Sequence, residues 1–303
     1  MDTDALECLA AIVEEGGFDR AAQRLHITQS AVSQRLRALE AQVGTVLIVR
    51  SRPLKPTPAG RLLLKHAQQM RLLRADLERD LRELAPGNRA GAREHERVAI
   101  AINADSIATW ALDPLGPLVR EGLALEIITD DQDFTHEWLR SGQVLGCVTT
   151  LAQPLRGCKL VPLGAMHYVA VASRDYARTH APQGLTPHNF SRLPFVAFNR
   201  KDDIPAEFVQ QAFGLSRVAV GRSFVPSSQG QVRAVRSGWG ASVVPELLVR
   251  EALAAGELVD LLPGRSLPVQ LYWHCWNLAS EVLDALTKAI VDAASRVLAP
   301  AGD

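Results

Sequence analysis

Apolar residues near the start of the chain recur at helical spacing. Leu6, Leu9, Ile12 and Val13 fall on one face of a helix predicted over Asp4–Glu15, with acidic residues opposite. Gly16-Gly17 ends it, because glycine adopts the left-handed conformation of a helix stop without strain. A short second helix is predicted over Phe18–Leu25, where Ala21 and Ala22 are small enough for a close helix crossing. His26-Ile27 makes a turn, and Thr28 is placed to cap the next helix. In that third helix, Gln29–Val43, the residues Val32, Leu36, Leu39 and Val43 form a buried stripe.

Leu47–Val49 suits a short strand, and the run after it, stiffened by Pro53 and Pro56, completes a basic hairpin beside the third helix. Thr57-Pro58 opens a long helix, since proline is tolerated in a first turn. Leu63, Met70, Leu77 and Leu84 recur every seven residues there, with Leu73 and Leu81 between them. That repeat predicts pairing with a helix of a second subunit; a core helix within one chain is the alternative. Pro86-Gly87-Asn88 breaks the helix and opens a polar linker over 86–96.

From Val98 the texture changes to strands alternating with helices. Strands are expected at Val98–Asn103, Ala124–Thr129 and Val144–Thr150, with helices at Asp105–Leu118 and Phe134–Ser141. A second unit has strand-like Tyr168–Ala172, Phe195–Phe198, Val218–Val225 and Ala241–Val244, and a helix at Glu207–Phe213. Ser227-Ser228 opens another helix, with Ser228 and Gln231 spaced as a capping box. The strand Gln270–Trp276 and a helix from Ser280 return to the first unit. Such alternation implies a mainly parallel sheet whose ligands bind at strand C-terminal ends. Those ends read Asn103-Ala104-Asp105-Ser106, Thr129-Asp130-Asp131 and Thr149-Thr150. The fold class is therefore multi-domain: a mainly α winged helix-turn-helix over 1–58, a dimerisation helix over 59–85, the linker, and an α/β domain over 97–303. In that domain 97–164 and 266–303 make lobe I and 165–265 lobe II, a hinged pair suited to holding a small molecule.

The net charge of the 303-residue chain is zero, yet charge is segregated along it. The first 19 residues hold six acids and no Lys or Arg, which excludes a secretory signal. Residues 20–60 hold seven basic residues and one acid. Phosphate binding depends on that local field more than on the total. Gln29, Ser33 and Gln34 on the polar face of the third helix have the amides and hydroxyls that read base edges in a major groove. Ser30 and Arg35, with Arg50, Arg52 and Lys55 of the hairpin, are candidates for the phosphate backbone, and Thr28 and Arg37 are further DNA-binding candidates, Arg37 on the same polar face. Cys8, Cys147, Cys158 and Cys275 form no C-x-x-C pair and read as buried free thiols of a cytoplasmic protein. No apolar run is long enough to span a membrane.

The segment FDRAAQRLHITQSAVSQRLRALEAQVGTVLIVRSRPLKPTPAG closely resembles the DNA-binding segment of LysR-type transcriptional regulators. The match covers A-A-x-x-L, T-Q-S-A-V-S, L-x-x-L-E, L-I-x-R and T-x-A-G. The resemblance implies a homodimer or tetramer, promoter DNA with an inverted repeat, action on RNA polymerase at the nucleoid, and a sensing half like a periplasmic binding protein. INADSIATW, FNRKDD, FVPSSQ and LYWHCWN further resemble the subgroup that controls lysine and arginine export. A basic amino acid offers a carboxylate and a distal cation. Ser106, Ser227 and Ser228, near helix starts, suit the carboxylate, and Asp105, Asp130 and Asp131 suit the cation. Thr149, Thr150, Asn199 and Pro226 are further candidates to line the cleft.

An enzyme is disfavoured. There is no G-x-S-x-G elbow, Gly238-Trp239-Gly240 lacks the third glycine of a dinucleotide loop, and the histidines form no H-x-x-x-H pair, so no catalytic residue, metal or cofactor is assigned. The remaining alternatives are an architectural or replication-origin DNA-binding protein with no effector, and a regulator sensing another metabolite.

Overall fold

The computed structural model describes residues 2–51, 54–84, 97–129, 135–216 and 218–300. Arg52, Pro53, Asp130, Asp131 and the linker expected over 86–96 lie outside the described residues.

The head begins with α1 (Thr3–Glu14), α2 (Phe18–Arg24) and α3 (Gln29–Val43). Leu6, Leu9 and Ile12 of α1 pack against Ala21 and Ala22 of α2 and against Val32, Leu36 and Leu39 of α3. Val43, expected at the end of the buried stripe, is exposed, because α3 runs out past the core to Gly44, a left-handed C-cap. Strands β1 (Ile48–Val49) and β2 (Lys55–Pro56) pair antiparallel as the wing. Then comes α4 (Pro58–Leu84). Thr57 locks wing to helix: its N–H donates to the Leu47 carbonyl at 2.9 Å, its hydroxyl donates to Val46 O at 2.8 Å and accepts from Gly60 N at 3.1 Å. Gly60 is needed there, since a Cβ would lie 2.1 Å from the Leu47 carbonyl oxygen.

The long helix α4 has three faces. Leu64 and Ala67 are buried in the head. Leu72 is buried with the effector-domain core, and the Lys65 backbone rests on Gly142, where a Cβ would come within 2.7 Å of Lys65 Cα. Leu73, Leu77 and Leu81, one turn apart in sequence, are exposed. The expected heptad thus divides: Leu63 and Met70 pack on the head, and Leu77 stays outside.

The remaining elements are β3 (Val98–Ala101), α5 (Ala104–Thr109), α6 (Gly116–Arg120), β4 (Leu125–Ile128), α7 (Thr135–Arg140), β5 (Gly146–Thr149), β6 (Cys158–Ser173), α8 (Arg174–His180), β7 (Phe195–Ala197), α9 (Ile204–Phe213), β8 (Arg222–Phe224), α10 (Ser228–Arg236), β9 (Ala241–Pro245), α11 (Glu246–Ala254), β10 (Leu258–Asp260), β11 (Leu267–Trp276) and α12 (Glu281–Val297). The strands form one sheet in the order β4-β3-β5-β11-β6-β9-β7-β8, with β10 also on β6. β4, β3 and β5 are parallel in lobe I, as are β8, β7 and β9 in lobe II. The two central strands run antiparallel to their neighbours, so the sheet is mixed rather than mainly parallel.

Several expected elements change length for identifiable reasons. The strand expected at Tyr168–Ala172 begins ten residues earlier, at Cys158. Pro162 and Gly164 disguise its first half; they flank a register shift opposite Leu271/Tyr272, and proline is tolerated at such a bulge. The helix expected at Asp105–Leu118 is broken after Thr109 into a 3-10 turn and α6, with Pro114 and Pro117 in their first turns. Of Val218–Val225 only Arg222–Phe224 is a strand. The helices α8 and α11 and the strand β10 have no counterpart among the elements expected from spacing.

Gly60→Ala is expected to lower stability by about 1–3 kcal/mol, because the added methyl must push wing and α4 apart. An unchanged thermal midpoint would show that the contact yields freely.

Candidate nucleic-acid interface and effector cleft

The exposed side of the head is a polar hollow of about 310 Å³ whose lining includes Gln29, Ser33, Gln34, Arg37 and Arg50. Helix α3 presents its side chains here because its opposite face is committed to the core. Thr28 is partly used inside the fold: its hydroxyl accepts from Ala31 N at 3.2 Å and shares a hydrogen bond with the Ser30 hydroxyl at 2.9 Å. Arg50 of the wing lies over the Phe18 ring, 5.6 Å from its centroid, and so is held beside the hollow. Lys55 is exposed on β2. Glu40, the single acid of the basic stretch, accepts from Leu47 N at 2.8 Å and so is spent on starting the wing.

Arg35 stands apart from the other cations. Its guanidinium reaches back 3.4 Å to Asp4 of α1, which favours a role in positioning α3 over one in holding phosphate. The acidic first helix is the internal counter-charge of the head. Glu7 takes Arg71 Nε of α4 at 2.9 and 2.8 Å, and Glu14 takes both Arg71 Nη1 at 2.8 Å and Arg24 of α2. Arg71 is only 13% exposed, so this pairing is shielded from solvent more than a surface bridge.

The second site is the cleft between the lobes. Its cavity of about 30 Å³ is lined by Asn103 and Asp105 from the β3–α5 junction, Tyr168 of β6, Phe198 and Asp202 of the β7–α9 loop, and Gln231 of α10. The Tyr168 hydroxyl donates to Asp105 Oδ2 at 2.7 Å. Asn103 is 1% exposed, and neither atom of its amide has a partner among the described residues. Asp202 Oδ2 accepts from Phe198 N at 2.7 Å and Oδ1 from Ile204 N at 3.1 Å. Burial pushes the Asp202 carboxyl above its usual range, and nearby Asp105 adds to this, while the two N–H donors and Arg222 oppose it.

Of the sequence candidates, Asp105 lines this cavity. Ser106 and Ser228 are buried beside it on α5 and α10, helices that touch across the lobes, and each hydroxyl lacks a partner among the described residues. The capping-box expectation for Ser228 is corrected: Ser227 is the N-cap, accepting from Gly230 N at 3.1 Å, so Ser228 falls one position inside the helix. Ser227 and Pro226 are exposed. Asn199 holds its own loop by accepting from Lys201 N at 2.7 Å. Thr149 is buried and ties the strand end to Leu151 N at 3.4 Å, with Thr150 half-buried next to it. Sequence spacing missed Asn103, Tyr168 and Asp202 as a group, because each comes from a different part of the fold. The signal available was the acid pair closing FNRKDD.

Other chemistry is structural. All four cysteines are free, and burial pushes their thiols up. The His274 imidazole is buried in β11 against the Leu151 carbonyl at 2.8 Å, and burial holds it below its usual pKa. Among the described residues no group of His, Cys, Asp and Glu is placed to hold a metal, and no helix is long and apolar enough to cross a membrane.

A winged helix-turn-helix head joined by a long helix to a two-lobed, cleft-bearing domain defines a ligand-responsive DNA-binding regulator. The bacterial regulatory helix-turn-helix protein model of the lysR family matches residues 3–61, and the LysR substrate binding domain matches residues 92–299. The chain is 42% identical over 307 residues to the HTH-type transcriptional regulator ArgP of Pseudomonas aeruginosa, covering 100% of this chain and 96% of that protein. Its fold superposes on the crystal structure of ArgP from Mycobacterium tuberculosis with a TM-score of 0.85 and 38% identity, covering 100% of both chains. Full-length LysG from Corynebacterium glutamicum, solved with bound effector Arg, gives a TM-score of 0.75 and 35% identity over 99% of this chain and 100% of that one. The chain belongs to the LysR family of transcriptional regulators.

Arg71→Ala is expected to destabilise the head by about 1.5–3 kcal/mol, the usual cost of losing hydrogen bonds to a charged group. Chemical denaturation of the variant beside Arg71→Lys checks this. Equal midpoints for Arg71→Ala and the wild type would show that the pairing with Glu7 and Glu14 contributes nothing.

Proposed function

We propose that this regulator senses a basic amino acid, lysine or arginine, in the cleft between its lobes, and couples that binding to recognition of an inverted repeat in promoter DNA that controls amino-acid export or metabolism. The observation that carries the ligand reading is the cavity wall, where Asp105 and a buried amide without a protein partner among the described residues, Asn103, face one space. The Arg found in LysG supports the same chemistry. A cavity of about 30 Å³ is too small for a free amino acid, so binding requires the lobes to part. The ligand then favours whichever lobe arrangement it fits better, and that difference in affinity is the whole of its influence on the DNA-bound state.

On the DNA side, Gln29, Ser33 and Gln34 read base edges. Ser30, Arg37, Arg50 and Lys55, with Arg52 by its place in the sequence, hold the backbone, and Arg35 positions α3. Two heads would meet half-sites about one helical turn apart. The exposed Leu73, Leu77 and Leu81 of α4 supply an apolar seam for the second subunit, with a tetramer as the larger assembly. Promoter-bound protein then acts on RNA polymerase in the cytoplasm.

Thermal-shift measurements with lysine and arginine, repeated with promoter DNA, test the ligand: stabilisation that grows with concentration is expected, and none with either amino acid removes the effector assignment. For the DNA contacts, Gln34→Ala is expected to change sequence preference. Arg50→Ala is expected to weaken binding to all sequences and to lower the salt slope by about 1. An unaltered slope would place Arg50 away from phosphate.

A further inference from the structure

The cleft contains an acid from each lobe. Asp105 stands on α5 in lobe I and Asp202 in the β7–α9 loop of lobe II, and both line the same cavity. Neither is loosely placed. Tyr168 holds Asp105 at 2.7 Å, and the backbone N–H groups of Phe198 and Ile204 hold the two oxygens of Asp202. Among the described residues, Arg222 is the cation that acts on the Asp202 carboxyl, and its own hydrogen bonds go to neighbouring groups. Arg222 Nη1 donates to the Asp202 backbone carbonyl at 2.7 Å and to the Asp203 carboxylate at 3.2 Å, and Arg200 lies over the Phe224 ring. Lys201 is exposed. Among the described residues, the titratable and charged groups facing Asp202 are Asp105 of α5, Tyr168 of β6 and Arg222 of β8. On the same wall sits Asn103, 1% exposed and with neither amide atom partnered among the described residues. A buried polar group in that condition points to a ligand that completes it.

We propose that Asp202 is the specificity-determining residue of this cleft: with Asp105 it forms a seat of two carboxylates, one from each lobe, that selects the side-chain cation of the ligand. The inference rests on the reading that a basic amino acid occupies the cleft. Two like charges facing each other disfavour approach of the lobes, and a cation between them reverses the sign of that interaction. A guanidinium, with five donors in a plane, can serve both acids at once. An uncharged side chain of the same shape brings no cation to the two acids. Seating the cation also requires ionised acids. The raised position of Asp202 therefore makes affinity for a cationic ligand fall as pH falls, while affinity for a neutral isostere does not fall with it.

Calorimetry on the full-length protein with arginine and with citrulline, its uncharged isostere, tests this. The wild type is expected to prefer arginine by about 100-fold, and Asp202→Asn to remove most of that preference while citrulline binding changes little. Asn at 202 sets an amide N–H against one of the two backbone donors, so Asp105→Asn, whose oxygen still accepts from Tyr168, is the second variant. The wild-type pH profile for both ligands needs no substitution at all. A folded Asp202→Asn protein with the wild-type arginine-to-citrulline ratio overturns the proposal, as does equal wild-type affinity for the two ligands. If the wild type binds neither arginine nor lysine, the effector reading itself fails, which is a different outcome. If Asp202→Asn does not fold, a retained preference in Asp105→Asn together with a flat pH profile overturns the two-carboxylate seat.

Discussion

The antiparallel ladder between β6 and β11 runs from Leu267 opposite Tyr168 to Trp276 opposite Cys158, and both lobes hang from it. On one side it carries β5 and the rest of lobe I, on the other β9 and the rest of lobe II. Its register shifts near Gly164, which has a positive φ and leaves no room for a side chain against Ala299. A bulge lets a strand pair bend without losing the pairing on either side. The cleft lies along this ladder, with Tyr168 of β6 in its wall, so the two lobes are joined by a continuous hydrogen-bonded strand pair. Trp273 and Trp276, fully buried against α12, hold the lobe I end of the ladder stiff.

Helix α4 packs against both the effector domain and the head. At 27 residues it is about 40 Å long. The head grips it through Leu64, Ala67 and the Arg71 pairings, and lobe I grips it through Leu72 and the contact of Lys65 with Gly142. The two grips fall on different faces of the same turns. Lobe I and the head are thus joined through packed side chains on one helix. The third face leaves Leu73, Leu77 and Leu81 exposed, the seam proposed above for a second subunit.

The head was legible from spacing because nearly everything that fixes it is local: caps one turn away, a stripe of period 3.6, glycine at a helix stop. What spacing could not supply was the partner of a side chain distant in sequence. Arg35 sits at the flank of the polar face, yet Asp4, far upstream, turns it inward. The effector domain was legible as alternating strands and helices, but Pro162 and Gly164 hid half of β6, and Pro114 and Pro117 divided an expected helix. Asp202 was the hardest to read. In a run of charged and amide residues it looks like a solvated loop, and only the fold shows it half-buried in the same cavity wall as Asp105.

Charge segregation joins the two sites in one physical scheme. The acids of α1 pair with Arg24, Arg35 and Arg71, while Arg37 and Arg50 line the polar hollow, although the whole chain is neutral. A local basic field can act on phosphate even where the whole chain is neutral. The cleft uses the opposite arrangement: acids are gathered and partly desolvated, at a cost that the fold meets elsewhere. Asn103, Ser106 and Ser228 add polar groups that the described residues leave without partners, each a cost of about 1–3 kcal/mol when unmet. A ligand that satisfies them gains that energy only in the arrangement where they converge. Under the proposed reading, any ligand-driven shift of the DNA-bound form draws on the difference in affinity between lobe arrangements.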